Sequence, residues 1–321
     1  MNCLICLKAL PKHSGPHYHS GCLEQLFGTR KIDLNLPQTR QDLVTSMPRK
    51  THGFSISGVQ MKCQMAIEKE QLKLVDHGGE FIMKPSPEEY PYVAENEHTS
   101  LTLMKQLGFE VPDCGLLQLN DGHLVFIIRR YDRDLATGAK IHQEDAMQAL
   151  GIANIGTDQK YQSSSYEQVL VLAIEHAGLA VGMELFLRLA FSYLVGNDDH
   201  HLKNISFFHD PVFKLTPCYD VLASSLYSSK ADSPMALKFF QTGEPTYFRE
   251  MGNGFYAGSD FIELANKVGL PEKVARKRLH NLTNKMEKAA PDTITSSHMP
   301  TDMKARYQEL VTQRIQFMRV V

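Results

Sequence analysis

Gly196-Asn197-Asp198-Asp199-His200-His201-Leu202-Lys203-Asn204, with Pro217-Cys218-Tyr219-Asp220 beyond it, decides how this chain is read. An aspartate, Asp199, is followed five positions later by Asn204 and then by a second aspartate, Asp220. That order offers one carboxylate to orient a hydroxyl, then an amide and a carboxylate oxygen for a hard octahedral cation such as Mg2+. Phosphoryl transfer asks for little more than such positioning and charge. Taken alone, the cluster has two other readings. Asp-Asp-His-His is also a donor set for Zn2+ or Mn2+ in a hydrolase, and a structural loop with hydrogen-bonded histidines uses the same letters.

Upstream residues separate these readings. Lys84 ends the apolar run Phe81-Ile82-Met83, downstream of the Ser/Gly-rich turn Ser55-Ile56-Ser57-Gly58-Val59-Gln60. A strand would hold its ammonium in a cleft against phosphate oxygens. Glu97, or else Glu95, falls on the next helix and can pair with that lysine. Singly, such a lysine more often snorkels to solvent and such a glutamate more often faces water. The strand over 125–128 runs into Arg129-Arg130-Tyr131-Asp132, where a linker between two lobes would offer the backbone of Arg129 and Tyr131 to an adenine edge. A strand leading into a charged loop accounts for the same letters. A hydrolase needs no strand lysine in this order, so Lys84 and Asp220 together favour a kinase. Protein kinases present base, Asn and Asp in this sequence, although neither His-Arg-Asp nor Asp-Phe-Gly occurs here. No Gly-x-x-x-x-Gly-Lys-Ser/Thr is present, which disfavours a P-loop nucleotidase.

The 321 residues suffice for two lobes, and 43% hydrophobic with 22% charged residues is ordinary for a globular chain. A net charge of -2 gives no electrostatic case for direct nucleic-acid binding, and Arg276-Lys277-Arg278 reads as a solvated helix face. No leader pattern follows Met1 and no run of about 18 apolar residues occurs, so no membrane contact and a cytoplasmic location with reduced cysteines are expected. The most apolar stretch, 185–195, is interrupted by Arg188 and reads as a buried helix. Periodicity predicts strands within 61–68, 72–75 and 80–84, a helix over 94–107, and a hairpin of 115–119 with 124–128. Helices are predicted near 143–150, 166–176, 183–195, 259–290 and 300–318, with 156–165 as a mobile loop. The fold class expected is α+β, a bilobed protein-kinase-like fold: an N-terminal segment over 1–50, a small strand-rich lobe over 51–131, and a larger helical lobe over 132–321.

Residues 1–24 hold three of the six cysteines. Cys3-x-x-Cys6 and His19-x-x-Cys22 give four ligands in the spacing of a small zinc knuckle, closed and therefore structural if Zn2+ binds. A turn with buried thiols is the alternative.

The assembled residues resemble the HipA family of serine/threonine kinase toxins, closest to its short HipT branch from three-gene toxin–antitoxin systems. The resemblance runs from about Phe54 onward. It is carried by Ser-Ile-Ser-Gly-Val-Gln at 55–60, Phe-Ile-Met-Lys-Pro-Ser at 81–86, Ala-Glu-Asn-Glu-His at 94–98, Arg-Arg-Tyr-Asp-Arg at 129–133, His-Gln-Glu-Asp at 142–145, Gly-Asn-x-Asp-x-His-x-x-Asn at 196–204 and Tyr-Asp at 219–220. It implies Asp199 as catalytic base, Asn204 and Asp220 as Mg2+ ligands, and ATP contacts from Ser57, Gly58, Val59, Gln60, Lys84, Arg129, Tyr131, Asn204 and Asp220. His201 would brace the loop. Ser55 or Ser57 would be a site of inhibitory self-phosphorylation, adding about -1.5 to -2 charge. An aminoacyl-tRNA synthetase, with the tryptophanyl enzyme favoured, is the implied protein substrate. Implied partners are a DNA-binding antitoxin and a small antitoxin supplying an N-terminal subdomain for which about 50 residues are too few. A kinase-fold binding module without turnover and a small-molecule kinase remain the alternatives. The Cys/His knuckle lies outside the shared pattern.

Overall fold

A computed structural model describes residues 1–11, 17–46, 60–134, 137–156, 158–227 and 233–321. Five antiparallel strands, β1 (Cys63–Glu68), β2 (Gln71–Val75), β3 (Phe81–Pro85), β4 (Cys114–Gln118) and β5 (Leu124–Arg129), form one sheet in the order β2-β1-β3-β5-β4. Glu68 pairs with Gln71 across a two-residue turn in which Lys69 and Glu70 both have positive φ, the geometry that matches strand twist.

β5 is apolar without alternation because both of its faces are covered. Phe126 and Ile128 join the main core with Leu101 and Met104 from α3 (Val93–Gln106). Val125 and Ile127 point the other way, into a second core with Leu26 and Phe27 of α1 (Ser20–Phe27), Leu36, and Leu43 of α2 (Arg40–Ser46). Strand residues alternate faces, so β3 sends Lys84 toward α3 while Phe81 and Met83 fill the second core. The N-terminal segment thus covers the outer face of the sheet.

The remainder is helical around α6 (Tyr166–Val195), with α4 (Ala146–Ala149), α5 (Gln159–Gln162), α7 (Thr246–Met251), α8 (Gly258–Lys267), α9 (Glu272–Ser296) and α10 (Thr301–Met318). A small sheet of β6 (Gln143–Asp145), β7 (Ser206–Phe208) and β8 (Lys214–Leu215) flanks the loop that follows α6. The predicted helices over 166–176 and 183–195 are one element broken at Gly178 (φ 80), capped at its start by Ser165, whose side chain accepts from the Gln168 amide. By length and composition α6 is the one described helix able to cross a membrane. Its Leu185, Phe186, Leu189, Phe191 and Leu194 are instead buried in the core, each contributing about 1.5–3 kcal/mol. The predicted helix at 143–150 is a strand for its first residues. Asp145 caps only the short α4, its carboxylate accepting from the Gln148 amide while the Gln148 side chain accepts from the Asp145 amide. Arg276, Lys277 and Arg278 are exposed on α9, as a solvated face requires.

Candidate active site

The site grows from three buried charges. Lys84 Nζ donates to Glu97 Oε1 at 2.5 Å and also to Asp220 Oδ1. All three residues are under 10% exposed. Glu97, not Glu95, makes the pair, because it lies on the face of α3 turned to β3. Lys62, at the entrance to β1, holds the other Asp220 oxygen at 3.2 Å. Burial would push the Lys84 ammonium down, but Asp220 and Glu97 outweigh it and keep it protonated. Burial also opposes ionisation of Asp220, yet Lys62 and Lys84 hold its carboxyl well below the usual range. Burial, with the Asp220 charge beside it, leaves Glu97 raised despite Lys84. Asp220 has a left-handed backbone (φ 51), a strained setting for a side-chain-bearing residue and one found at functional sites.

The second half of the site hangs from the end of α6. Gly196 closes that helix in the left-handed conformation, and a Cβ there would run into Ser225 Oγ. The loop that follows is fixed by neutral hydrogen bonds. Asn204 Nδ2 donates to the Asp199 carbonyl at 2.9 Å, and the Asp199 amide donates to Asn197 Oδ1 at 3.3 Å. Tyr219 hydroxyl donates to the Lys203 carbonyl at 3.0 Å and bonds Ser206 Oγ at 2.6 Å. Ser192 Oγ lies 2.6 Å from His200 Nδ1, and Tyr166 hydroxyl donates to the His200 carbonyl at 2.9 Å. His200 thus ties the loop to α6, while the His201 amide donates to the Asp199 carbonyl at 2.9 Å and the His201 carbonyl accepts from the Asn204 amide at 2.9 Å. His201 packs edge-on against Tyr161, with Nε2 4.0 Å from Asp199 Oδ1. Burial pushes His200 down to about 3 and His201 to about 4, so both rings are neutral at pH 7.

Tyr161 was invisible to the sequence reading. Its hydroxyl donates to Asp199 Oδ1 at 2.5 Å from α5, inside the stretch expected to be a mobile loop. Lys62 was likewise missed, because a lysine next to a strand carries no distinguishing pattern. The two halves of the site meet where Tyr219, next to Asp220, donates to the Lys203 carbonyl, next to Asn204.

The other expected residues divide. Ser55, Ser57, Gly58 and Val59 lie outside the described residues, while Gln60 is described and buried. The Arg129 and Arg130 amides donate to the Asp113 and Glu80 carbonyls and are committed within the protein. The Tyr131 ring packs on Tyr219 at 5.8 Å. Cys3, Cys6, His19 and Cys22 form a second cluster, with ligand atoms all within 4.8 Å of one another. For a divalent ion, the donor set fits a hard cation: a carboxylate already drawing two ammonium groups, and an amide whose nitrogen is committed and whose oxygen remains.

A sheet with a lysine–glutamate pair, joined to a helical half carrying Asp199, Asn204 and Asp220, defines a kinase-like fold. The family described as HipA-like C-terminal domain matches residues 54–290, and the chain belongs to it. A Haemophilus influenzae protein named "Putative kinase" is 36% identical over 301 residues, covering 86% of this chain and 85% of that protein. The serine/threonine-protein kinase toxin HipA of Shewanella oneidensis is 23% identical over 75% of this chain and 57% of its own length. Among solved structures, Shewanella oneidensis HipA, determined with HipB and operator DNA, superposes with a TM-score of 0.71 at 20% identity, over 88% of this chain and 71% of that one. The Helicobacter pylori proinflammatory kinase CtkA gives a TM-score of 0.55 at 13% identity, over 90% of this chain and 95% of that one. The chain is a HipA-like kinase, with the use of ATP and metal that this class implies.

Proposed function

We propose that this protein is a Mg-ATP-dependent serine/threonine protein kinase acting as the toxin of a toxin–antitoxin system. The carrying observation is the buried Lys84–Glu97 and Lys84–Asp220 contact, facing a loop in which Asn204 is tied to Asp199. In this reading Asp199 orients the acceptor hydroxyl and takes its proton, the hydroxyl oxygen bonds to the γ-phosphorus, and ADP leaves. Lys84, aimed by Glu97, neutralises phosphate oxygens. Asn204 and Asp220 hold Mg2+, which supplies charge neutralisation on the phosphates when bound. The Tyr131 backbone addresses the adenine.

The relative named as a HipA toxin supports growth arrest as the outcome, and the HipA–HipB–operator assembly supports a DNA-binding antitoxin as partner. Resemblance to the HipT branch supports an aminoacyl-tRNA synthetase as acceptor, the tryptophanyl enzyme first, with Ser55 or Ser57 as the self-modified position. Phosphopeptide mass spectrometry of wild-type and Asp199→Ala protein after incubation with Mg-ATP and the synthetase tests this. Phosphate on the synthetase and on Ser55 or Ser57, in the wild type alone, is the expected result. Phosphate on a metabolite and on no protein would select a small-molecule kinase, and failure to bind ATP would select a binding module.

A further inference from the structure

Residues that the phosphotransfer reading does not use meet at the N-terminus. We infer that Cys3, Cys6, His19 and Cys22 bind one Zn2+ ion, and that the resulting clasp positions the helix carrying Glu97.

The geometry is that of a closed tetrahedral site. Zinc bound at about 2.3 Å to sulfur and about 2.0–2.1 Å to nitrogen separates neighbouring ligand atoms by roughly 3.6–3.8 Å. Cys6 Sγ and Cys22 Sγ lie 3.4 and 3.8 Å from His19 Nδ1. All six cysteines of the chain are free, so no disulfide accounts for the convergence. The supporting groups match as well. His19 Nε2 is 3.2 Å from the Ala9 carbonyl, which makes it the protonated nitrogen and turns the Nδ1 lone pair toward the two sulfurs. The Ile5 amide donates to Cys3 Sγ at 3.5 Å, and Cys3 itself is fully buried. The turn is closed by the Leu7 amide on the Cys3 carbonyl, with Leu7 left-handed at φ 60, a strained conformation that a bound ion would hold in place. Three thiolates and one imidazole suit Zn2+ among common divalent ions and leave no open coordination position.

What the clasp touches gives it a role. The Leu116 amide donates to the Leu4 carbonyl at 2.8 Å, joining the turn to β4, the edge strand of the five-stranded sheet. Approach there is so close that a Cβ on Gly115 would lie 2.8 Å from Ile5 Cγ1. His98 Nε2 donates to the Ile5 carbonyl at 2.8 Å, between the first two cysteines. His98 is one of three consecutive, fully buried residues of α3 that reach three different parts of the molecule. Asn96 exchanges hydrogen bonds with the Ala223 backbone just past Asp220, at 3.1 and 2.8 Å, and Glu97 holds Lys84. Fixing Ile5 therefore fixes the rotation of α3, and with it the groups on either side of the cleft. The catalytic consequence rests on the kinase reading; the metal and its hold on the helix do not.

The experiment uses full-length protein purified without chelator. Metal analysis is expected to give about one zinc per chain, as a closed structural site retains its ion. Exchange into Co2+ should produce the thiolate charge-transfer and tetrahedral ligand-field bands. Cys22→Ser should lose them, and His19→Cys, which keeps four ligands, should retain the ion with shifted bands. Stripping the metal should raise amide hydrogen exchange in α3 and β4 by about tenfold or more while leaving α8 unchanged, because protection reports local opening. Zinc-free protein that gives no cobalt bands overturns the site, as does a Cys3, Cys6 or Cys22 disulfide in the purified protein. Bound metal whose removal leaves α3 protection unchanged overturns the positioning role. Neither readout needs activity, so failure of the kinase reading would show separately.

Discussion

Asp220 and Asp199 are both buried aspartates in one cleft, and they are held by opposite means. Asp220 sits between two ammonium groups, in a cluster anchored to β3 and α3. Asp199 is held by a tyrosine hydroxyl and by backbone and amide contacts within its own loop. A carboxylate clamped by lysines stays ionised and is a poor proton acceptor, which suits an oxygen ligand for a cation. Asp199 accepts from the Tyr161 hydroxyl, the kind of contact that an acceptor hydroxyl would make with a base. The ion-paired half should therefore govern stability and nucleotide binding, and the hydrogen-bonded half should govern turnover.

The largest expected effect breaks the second half alone. Asp199→Asn should lower phosphoryl transfer by about 10^2–10^4-fold, the usual worth of a general base, with thermal stability nearly unchanged. A steady-state rate measurement beside a calorimetric scan reads both. Equal loss of fold and activity would erase the distinction. Lys84→Met is the converse. It strands the buried Glu97 carboxylate, leaves Asp220 with Lys62 alone, and should destabilise by about 3–5 kcal/mol in denaturant titration, besides weakening ATP binding. The pH dependence carries a sign. Asp220 is depressed in the folded state, so its ion-pair stabilisation is complete above the unfolded value of about 3.9 and is lost as pH falls below it. The gap between wild type and Lys84→Met should narrow as pH falls, first as the burial-raised Glu97 carboxyl of the variant takes a proton and then below about 3.9 as the Asp220 pairing is lost.

The same contrast explains what was legible in the sequence. The meeting of Lys84 with Glu97 and Asp220, and of Asn204 with Asp199, was legible because chain order and spacing carry it, and because strand and helix periods fix which side chains share a face. β1 to β5 and α3 were found within a residue or two for the same reason. Tyr161 and Lys62 were missed because hydrogen bonds from loops across long sequence separations have no period. The cover that Leu26, Leu36 and Leu43 give the sheet was missed too, since a short amphipathic helix does not name its partner. The strand at 143–145 was lost to the helical signal of the capped turn beside it.

Glu95 sharpens the comparison from a third position. It neighbours the Asn96-Glu97-His98 triad but pairs with no lysine among the described residues, and burial raises its carboxyl to about 7. A carboxyl raised in the folded state favours the fold at low pH and costs stability as pH rises from about 4.5 through 7. Glu95→Gln should therefore stabilise the protein at pH 8 by something on the order of 2 kcal/mol and have little effect at pH 4.5. A urea titration at both values measures it.

The smallest effect is the most informative about the hydrogen-bonded half. Tyr161 presents a hydroxyl to Asp199 at 2.5 Å, in the position where an acceptor hydroxyl would have to bind the base. Half-buried Lys160 beside it lies over the Tyr161 ring, 4.9 Å from its centre. If the tyrosine competes with the acceptor, Tyr161→Phe removes the competitor at a cost near 1 kcal/mol of stability, the net value of one hydrogen bond. KM for a peptide acceptor should then fall about threefold while kcat holds, since about 0.6 kcal/mol of competing contact is removed. A drop in kcat with KM constant would instead make Tyr161 a residue that aims the base, placing the hydrogen-bonded half closer in kind to the lysine that Glu97 aims.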